Sequence, residues 1–186
     1  MLSSYSKLRS GRALCEERKS RIAASLLASL ALAKSSGNGN EITDGFNFDM
    51  KLIDEETLQF DVHIPDESWL GLNLGGRGMT RGDDMIRFVA DGSNSYFIDE
   101  YSIGKWKPKA DSSNDLSGSF RQVNGEIIFS VQRKLDTGDT INDFLIPVDQ
   151  KFDMACAVKR GSSNKDKRHS YRTSLSATLA SDGSPT

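Results

Sequence analysis

The nine residues Thr57–Pro65, TLQFDVHIP, restrict the fold more than any other stretch of the chain. Leu58, Phe60, Val62 and Ile64 alternate with Gln59, Asp61 and His63, a period of two that suits an extended strand with one buried face. A helix would scatter those apolar side chains around its axis. The signature recurs. DMIRFVAD places Ile86, Phe88 and Ala90 on one side, and the turn Asp91-Gly92-Ser93-Asn94 then leads into SYFIDEYS as a hairpin. Asn124-Gly125 signals a second hairpin before GEIIFSVQRKL. DMACAVKR and HSYRTSLSATL complete the set, the last less cleanly phased. No helical periodicity follows Leu26–Leu32, and no internal repeat is evident. The expectation is an all-β domain, an antiparallel immunoglobulin-like β-sandwich, behind an N-terminal leader or helix.

Length and charge bound what surrounds that domain. The 186 residues suffice for one core plus tails. Residues 1–33 hold six Lys/Arg and two Glu, a net of +4, so the remainder of a chain of net charge −2 carries −6. That balance gives no general electrostatic case for nucleic acid. The run Ile22–Ala33 has the length of a signal-peptide core, follows Arg18, Lys19 and Arg21, and ends in Ala31-Leu32-Ala33, a small-x-small cleavage pattern. A secretory signal, an organelle-targeting peptide and an ordinary helix all fit it. The secretory reading implies a secreted or extracytoplasmic protein, and the targeting reading an organelle such as the mitochondrion. No stretch is long enough for a transmembrane helix of the mature protein. Residues 34–45 read as a linker, 46–179 as the sandwich, and 180–186 as a disordered tail.

Hydrolytic and zinc chemistry find little to work with. Two histidines are present, without a Gly-x-Ser-x-Gly elbow, a phosphate-binding glycine loop or a His-Glu-x-x-His pair. Asp83-Asp84 and Asp136-x-x-Asp139 can be offered as calcium ligands, although such pairs more often cap turns. Cys15 lies in the leader, which leaves Cys156 as a single thiol in MACAV, a small hydrophobe on a strand. Without Cys-x-x-Cys-His, a covalent c-type haem linkage is excluded. His63 falls on the polar phase of its strand, and His169 opens the last strand. Each, alone, reads as a surface histidine. Met79 is the oddity. It sits in GGRGMTRGDDM, a glycine-rich turn where a polar residue is expected, either as soft filler for a core or as a thioether ligand to haem iron.

The order WLGLNLGGRGMTRGDDMIRFV, then VQRKLDTGDTIND, then FDMACAVKRG, then His169 resembles the DOMON domain. That family is named for the N-terminal region of dopamine beta-monooxygenase and includes the cytochrome domain of cellobiose dehydrogenase. GMTRGDD matches its Gly-Met-x-x-x-Asp turn, and RKLDTGDTIND its Arg-x-Leu-x-Thr-x-Asp stretch. The resemblance implies a β-sandwich that binds b-type haem, or in some branches a sugar. By position, the implied axial ligands are Met79 and His169, with Arg77 and Arg81 as candidates for the haem carboxylates because they flank Met79. A Met/His pair fills both axial positions and favours electron transfer. The implied function is therefore an electron relay to a redox partner protein or larger assembly, more a carrier than an enzyme in its own right. The rivals are a haemless carbohydrate- or small-ligand-binding module, with Trp69, Trp106, Tyr96 or Tyr101 as stacking surfaces, and a structural subunit of a larger assembly. Lys105, Lys107 and Lys109 around Trp106, with Lys165–Arg168, could dock an acidic partner or simply solubilise loops.

Overall fold

A computed structural model describes residues 40–181. The expected leader, the first half of the linker and the last five residues lie outside the described residues. Eleven strands follow one another: β1 (Asn40–Thr43), β2 (Phe46–Leu52), β3 (Thr57–Pro65), β4 (Ser68–Leu74), β5 (Arg81–Ala90), β6 (Tyr96–Ile103), β7 (Lys109–Ala110), β8 (Ser117–Val123), β9 (Glu126–Lys134), β10 (Lys151–Lys159) and β11 (Tyr171–Thr178). They form two sheets, β1-β2-β3-β9-β8 and β11-β10-β4-β5-β6-β7, whose strand pairs are all antiparallel. The expected β-sandwich is what the chain builds. Among the described residues no helix is long and apolar enough to cross a membrane.

The alternation in β3 translates directly into packing, because every second side chain from Leu58 to Ile64 is fully buried. These residues meet Leu70, Leu72 and Leu74 of β4 and Ile86 and Phe88 of β5 in one core between the sheets. Phe88 of one sheet and Phe129 of the other stand 5.5 Å apart, ring to ring, tilted by 60°. Tilted pairs of this kind add about 0.5–1.5 kcal/mol beyond the area they bury. The Asn124-Gly125 hairpin forms as expected, with φ of 52° and 82° at the two corner residues, the left-handed pair that its turn type requires.

Two strands depart from the sequence reading. β1 starts at Asn40, inside the stretch read as linker and ahead of the expected start at Phe46. Its sequence NEIT carries one apolar residue, Ile42, so alternation could not reveal it. β4, SWLGLNL, is buried along its whole length. One face meets the core, and the other is covered by loops.

Cys156 faces inward on β10 opposite Leu72, unpaired and buried, and burial pushes its thiol up to about 12. A thiol that is neither ionised nor reachable is inert. Thiol reagents should therefore label Cys156 in unfolded protein and leave it unmodified for hours in the native state. Rapid native labelling would contradict this placement.

Candidate functional site

The loops beside β4 border a half-open cavity of about 930 Å³ on the outer face of the six-stranded sheet. Its floor is read off the strand register. Gly71 on β4 is opposite Ala157 on β10, and Asn73 is opposite Ala155, so Gly71, Ala157 and Ala155 leave the sheet surface low. Met85 of β5 and Trp69 of β4 add apolar walls. Volumes of roughly 300–1,000 Å³ are those of pockets that hold small molecules and cofactors.

Met79 and His169 both line this cavity, although ninety positions separate them in sequence. The register explains how they come together. β4 runs into the Met79 turn past the Leu74–Met154 pair, and β10 runs into the His169 loop past the Trp69–Lys159 pair. The two loops root at opposite ends of the same two strands, roughly 17 Å apart at 3.4 Å per residue, and both bend over the sheet.

The Met79 turn is braced by its own side chains. Asn73 Nδ2 donates to the Gly78 carbonyl at 2.6 Å and to Asp83 Oδ2 at 2.8 Å. Asp83 Oδ2 also accepts from the Thr80 backbone N–H at 2.7 Å, and its Oδ1 accepts from the Thr80 hydroxyl. The last residue of the Gly-Met-x-x-x-Asp stretch thus caps the turn that presents Met79. Gly75 has φ of 79°, and any Cβ there would run into the Phe144 ring, so glycine is required on both counts.

A buried ionic brace holds the His169 loop. Arg87 on β5 pairs with Glu100 on β6 at 2.9 Å, donates to the Lys165 carbonyl at 2.6 Å, and stacks 4.9 Å from the Trp69 ring centre. Lys165 reaches back to Glu100 at 3.2 Å. Lys107 pairs with Asp166 at 2.6 Å and ties the Trp106 loop to the same segment. Of the basic stretch Lys165–Arg168, the first member is therefore a strut, and Lys167 and Arg168 remain on the cavity rim.

The remaining sequence-named residues divide. Arg77 lines the cavity, and its guanidinium grips Asp153 through two bonds of 2.9 and 3.0 Å. That guanidinium, with the Ser176 hydroxyl, holds the Asp153 carboxyl down at about 2. Arg81 starts β5 opposite Ile103 and is not among the lining residues. His63 lies on β3 between Asn47 and Ile128, in the other sheet. Tyr96 and Tyr101 do not line the cavity, so the four candidate stacking aromatics form no common platform. Trp106 stands on the rim with 74% of its surface exposed, whereas Trp69 is buried under Arg87. The sequence reading missed the Arg87–Glu100 brace and Arg172 on the rim. Arg87 could have been suspected, since it falls among apolar residues in DMIRFVAD.

Asp136 and Asp139 cap turns, accepting from the backbone N–H groups of Gly138 and Ile141 at 2.9 and 2.7 Å. Asp84 behaves otherwise. It turns inward between the sheets, away from Asp83.

No curated protein matches this chain. Its fold is similar to the cytochrome b domain of pyranose dehydrogenase from Coprinopsis cinerea, with TM-score 0.56 and 16% identity over 70% of this chain and 74% of that one. It is also similar to the cytochrome domain of Myriococcum thermophilum cellobiose dehydrogenase, with TM-score 0.52 and 14% identity over 75% of this chain and 76% of that one. The family model for the DOMON domain matches residues 43–159, more than half of the sequence, and the chain belongs to that family.

Proposed function

We propose that the cavity binds a b-type haem, with Met79 and His169 as axial ligands, and that the protein passes single electrons to or from a redox partner. The observation that carries this reading is that Met79 and His169, on loops rooted at opposite ends of β4 and β10, line one space of 930 Å³. The donor set and the surroundings fit the group. The floor of Gly71, Ala155, Ala157 and Met85 is low and apolar, and the rim carries Arg77, Arg168 and Arg172. A flat apolar macrocycle with two carboxylates asks for that combination. Arg168 and Arg172 take the carboxylate role that the sequence suggested for Arg81, while Arg77 contributes beside its ion pair with Asp153.

When bound, the haem supplies a one-electron couple. The chain's own residues do the rest. The Asn73–Asp83 brace holds the backbone on both sides of Met79, the Arg87–Glu100 brace holds the segment that leads to His169, and the small floor residues keep the sheet surface low beneath the cavity. A haem held by both Met79 and His169 would leave no coordination site for oxygen, which would favour carriage of electrons over oxygen activation. The similarity in fold to two cytochrome domains agrees with this, and by the same likeness the partner would be another domain or protein that exchanges electrons with it. Export from the cytoplasm, as the leader suggests, belongs to the same proposal.

The test is spectral. Purified protein, or protein reconstituted with haemin, should give the sharp α and β bands of low-spin six-coordinate b-type haem on reduction. A folded protein that stays colourless and takes up no haemin would overturn the reading in favour of a haemless ligand-binding module.

A further inference from the structure

A second cluster of chemistry-bearing side chains lies inside the sandwich. Asp84 of β5 shares its face with Ile86 and Phe88, and Asp99 of β6 is in register with Ile86, so both carboxylates point between the sheets. The segments flanking β8 and β9 close the end of the sandwich over them and bring in Asp115 and Asp143. Oxygens of Asp84, Asp99 and Asp143 lie within 4.8 Å of one another. Asp115 lies beside them: its backbone N–H donates to Asp99 Oδ2 at 3.2 Å, and its carboxyl meets that of Asp143. Arg133 of β9 enters from the opposite sheet, with one nitrogen 2.6 Å from Asp84 Oδ2 and 3.6 Å from Asp143 Oδ2. Among the described residues it is the one cation within ion-pair distance of these carboxylates.

One guanidinium does not match four carboxylates. The structure leaves Asp84 Oδ1, Asp99 Oδ1, Asp115 Oδ2 and Asp143 Oδ2 buried without hydrogen-bond partners. Asp84 and Asp99 are each only 2% exposed, so water does not reach them freely. An orphaned buried carboxylate oxygen is costly, and several in one cluster are more so. We infer that Asp84, Asp99 and Asp143, with Asp115, form a site for one divalent cation of the calcium class, buried at the end of the sandwich. Hard carboxylate oxygens with no thiol or imidazole suit calcium or magnesium rather than a softer metal. Size separates the two. Oxygens on opposite sides of one calcium stand about 4.6–5.2 Å apart, whereas magnesium brings them to about 4.0–4.2 Å. Oxygens that all lie within 4.8 Å of one another can share one calcium ion without being spread further apart. With a divalent ion and Arg133, four negative charges meet three positive ones.

The site also bears on the Met79 turn. The backbone N–H of Phe144 donates to Asp84 Oδ2 at 2.9 Å, and the Phe144 ring packs under Gly75, where that turn begins. A cation that orders Asp84 and Asp143 therefore orders the seat of the turn.

The 186-residue chain stripped with a chelator is the material for the test, with calcium ion alone as the probe. Equilibrium dialysis should find one saturable calcium per chain, at free concentrations on the order of 1 mM or below. The thermal midpoint should rise by several degrees at saturation, and less with magnesium. Asp99→Asn and the half-buried Asp143→Asn, checked for folding by near-UV circular dichroism, should each weaken uptake at least tenfold. No stoichiometric uptake by the folded wild-type protein would overturn the site, as would undiminished uptake by Asp143→Asn. If Asp99→Asn fails to fold, the wild-type stoichiometry and Asp143→Asn still decide. None of these readouts depends on haem.

Discussion

Replacing His169 with Ala should strip most of the haem from the protein, whereas Met79→Ala should keep much of it in an altered state. Imidazole is the firmer anchor for haem iron, and the thioether chiefly raises the potential and closes the sixth position. Loss of a partner one shell away from a metal typically costs about 10- to 100-fold in affinity. Loss of His169 itself should exceed that range. Arg87→Met, which frees the loop from Glu100 and from the Lys165 carbonyl, should weaken haem binding by less than the loss of His169 does. Met79→Ala should convert the spectrum to high spin, lower the potential, and open the iron to external ligands such as carbon monoxide. His63→Ala should change nothing, because His63 lies in the other sheet. Haem titration and reduced-minus-oxidised spectra of the four variants check this. If His63→Ala abolishes binding and His169→Ala does not, the ligand assignment fails. If neither histidine matters and the protein stays red, another side chain on the rim supplies the second ligand.

How much of this was legible follows from what sets each feature. β3 was plain because one face is buried and the other wet, which is what a period of two records. β1 was not, because four polar-rich residues gain their place from pairing with β2 rather than from their own pattern. The Met79 turn could be read because glycine spacing and a terminal Asp encode local geometry. The closure of the cavity could not, because it depends on Arg87, Glu100 and Lys165 meeting from three separate segments. The stretch Arg133-x-Leu-x-Thr-x-Asp carried a different lesson. It matches the family pattern as the Met79 turn does, but it serves a different part of the molecule. In the structure Arg133 faces the buried carboxylates, Leu135 enters the core, and Asp139 caps a turn. The signal for that second site was present: Asp84 and Arg133 each occupy the apolar phase of an alternating strand. A charged residue on a buried phase needs a buried partner.

Arg133→Met should be the most destabilising single substitution at that site, and its cost should depend on pH. The Arg133 side chain has no exposed surface, and it also donates to the Phe144 carbonyl at 3.2 Å. Removing one partner of a buried ion pair typically costs about 3–5 kcal/mol, because the other charge is left uncompensated. For a domain of this size that is a fall of roughly 10–20 °C in the unfolding midpoint. The groups facing one another are Asp84 on β5, Asp99 on β6, Asp115 ahead of β8, Asp143 after β9, and Arg133 itself, with Asp111 nearby. Burial is the first cause in each shifted case: it raises Asp84 to about 6 and Asp99 to about 7, and it raises Asp143 as well. The native state therefore binds more protons than the unfolded chain between their ordinary value of 3.8 and about 7. Their contribution to stability is complete below that window and is lost as pH rises through it. Asp61 and Asp153 run the other way, since ion pairing lowers them, so their contribution is lost in stronger acid. In chelated protein the penalty of Arg133→Met should accordingly be largest near pH 8 and shrink by at least half near pH 5, where the carboxylates can take up protons instead. Adding Asp84→Asn should restore part of the loss at pH 8 and little at pH 5. Denaturant melts of the wild type, the single variant and the double variant at the two pH values measure this. An equal cost at both would mean that Arg133 acts there by its bulk and not by its charge.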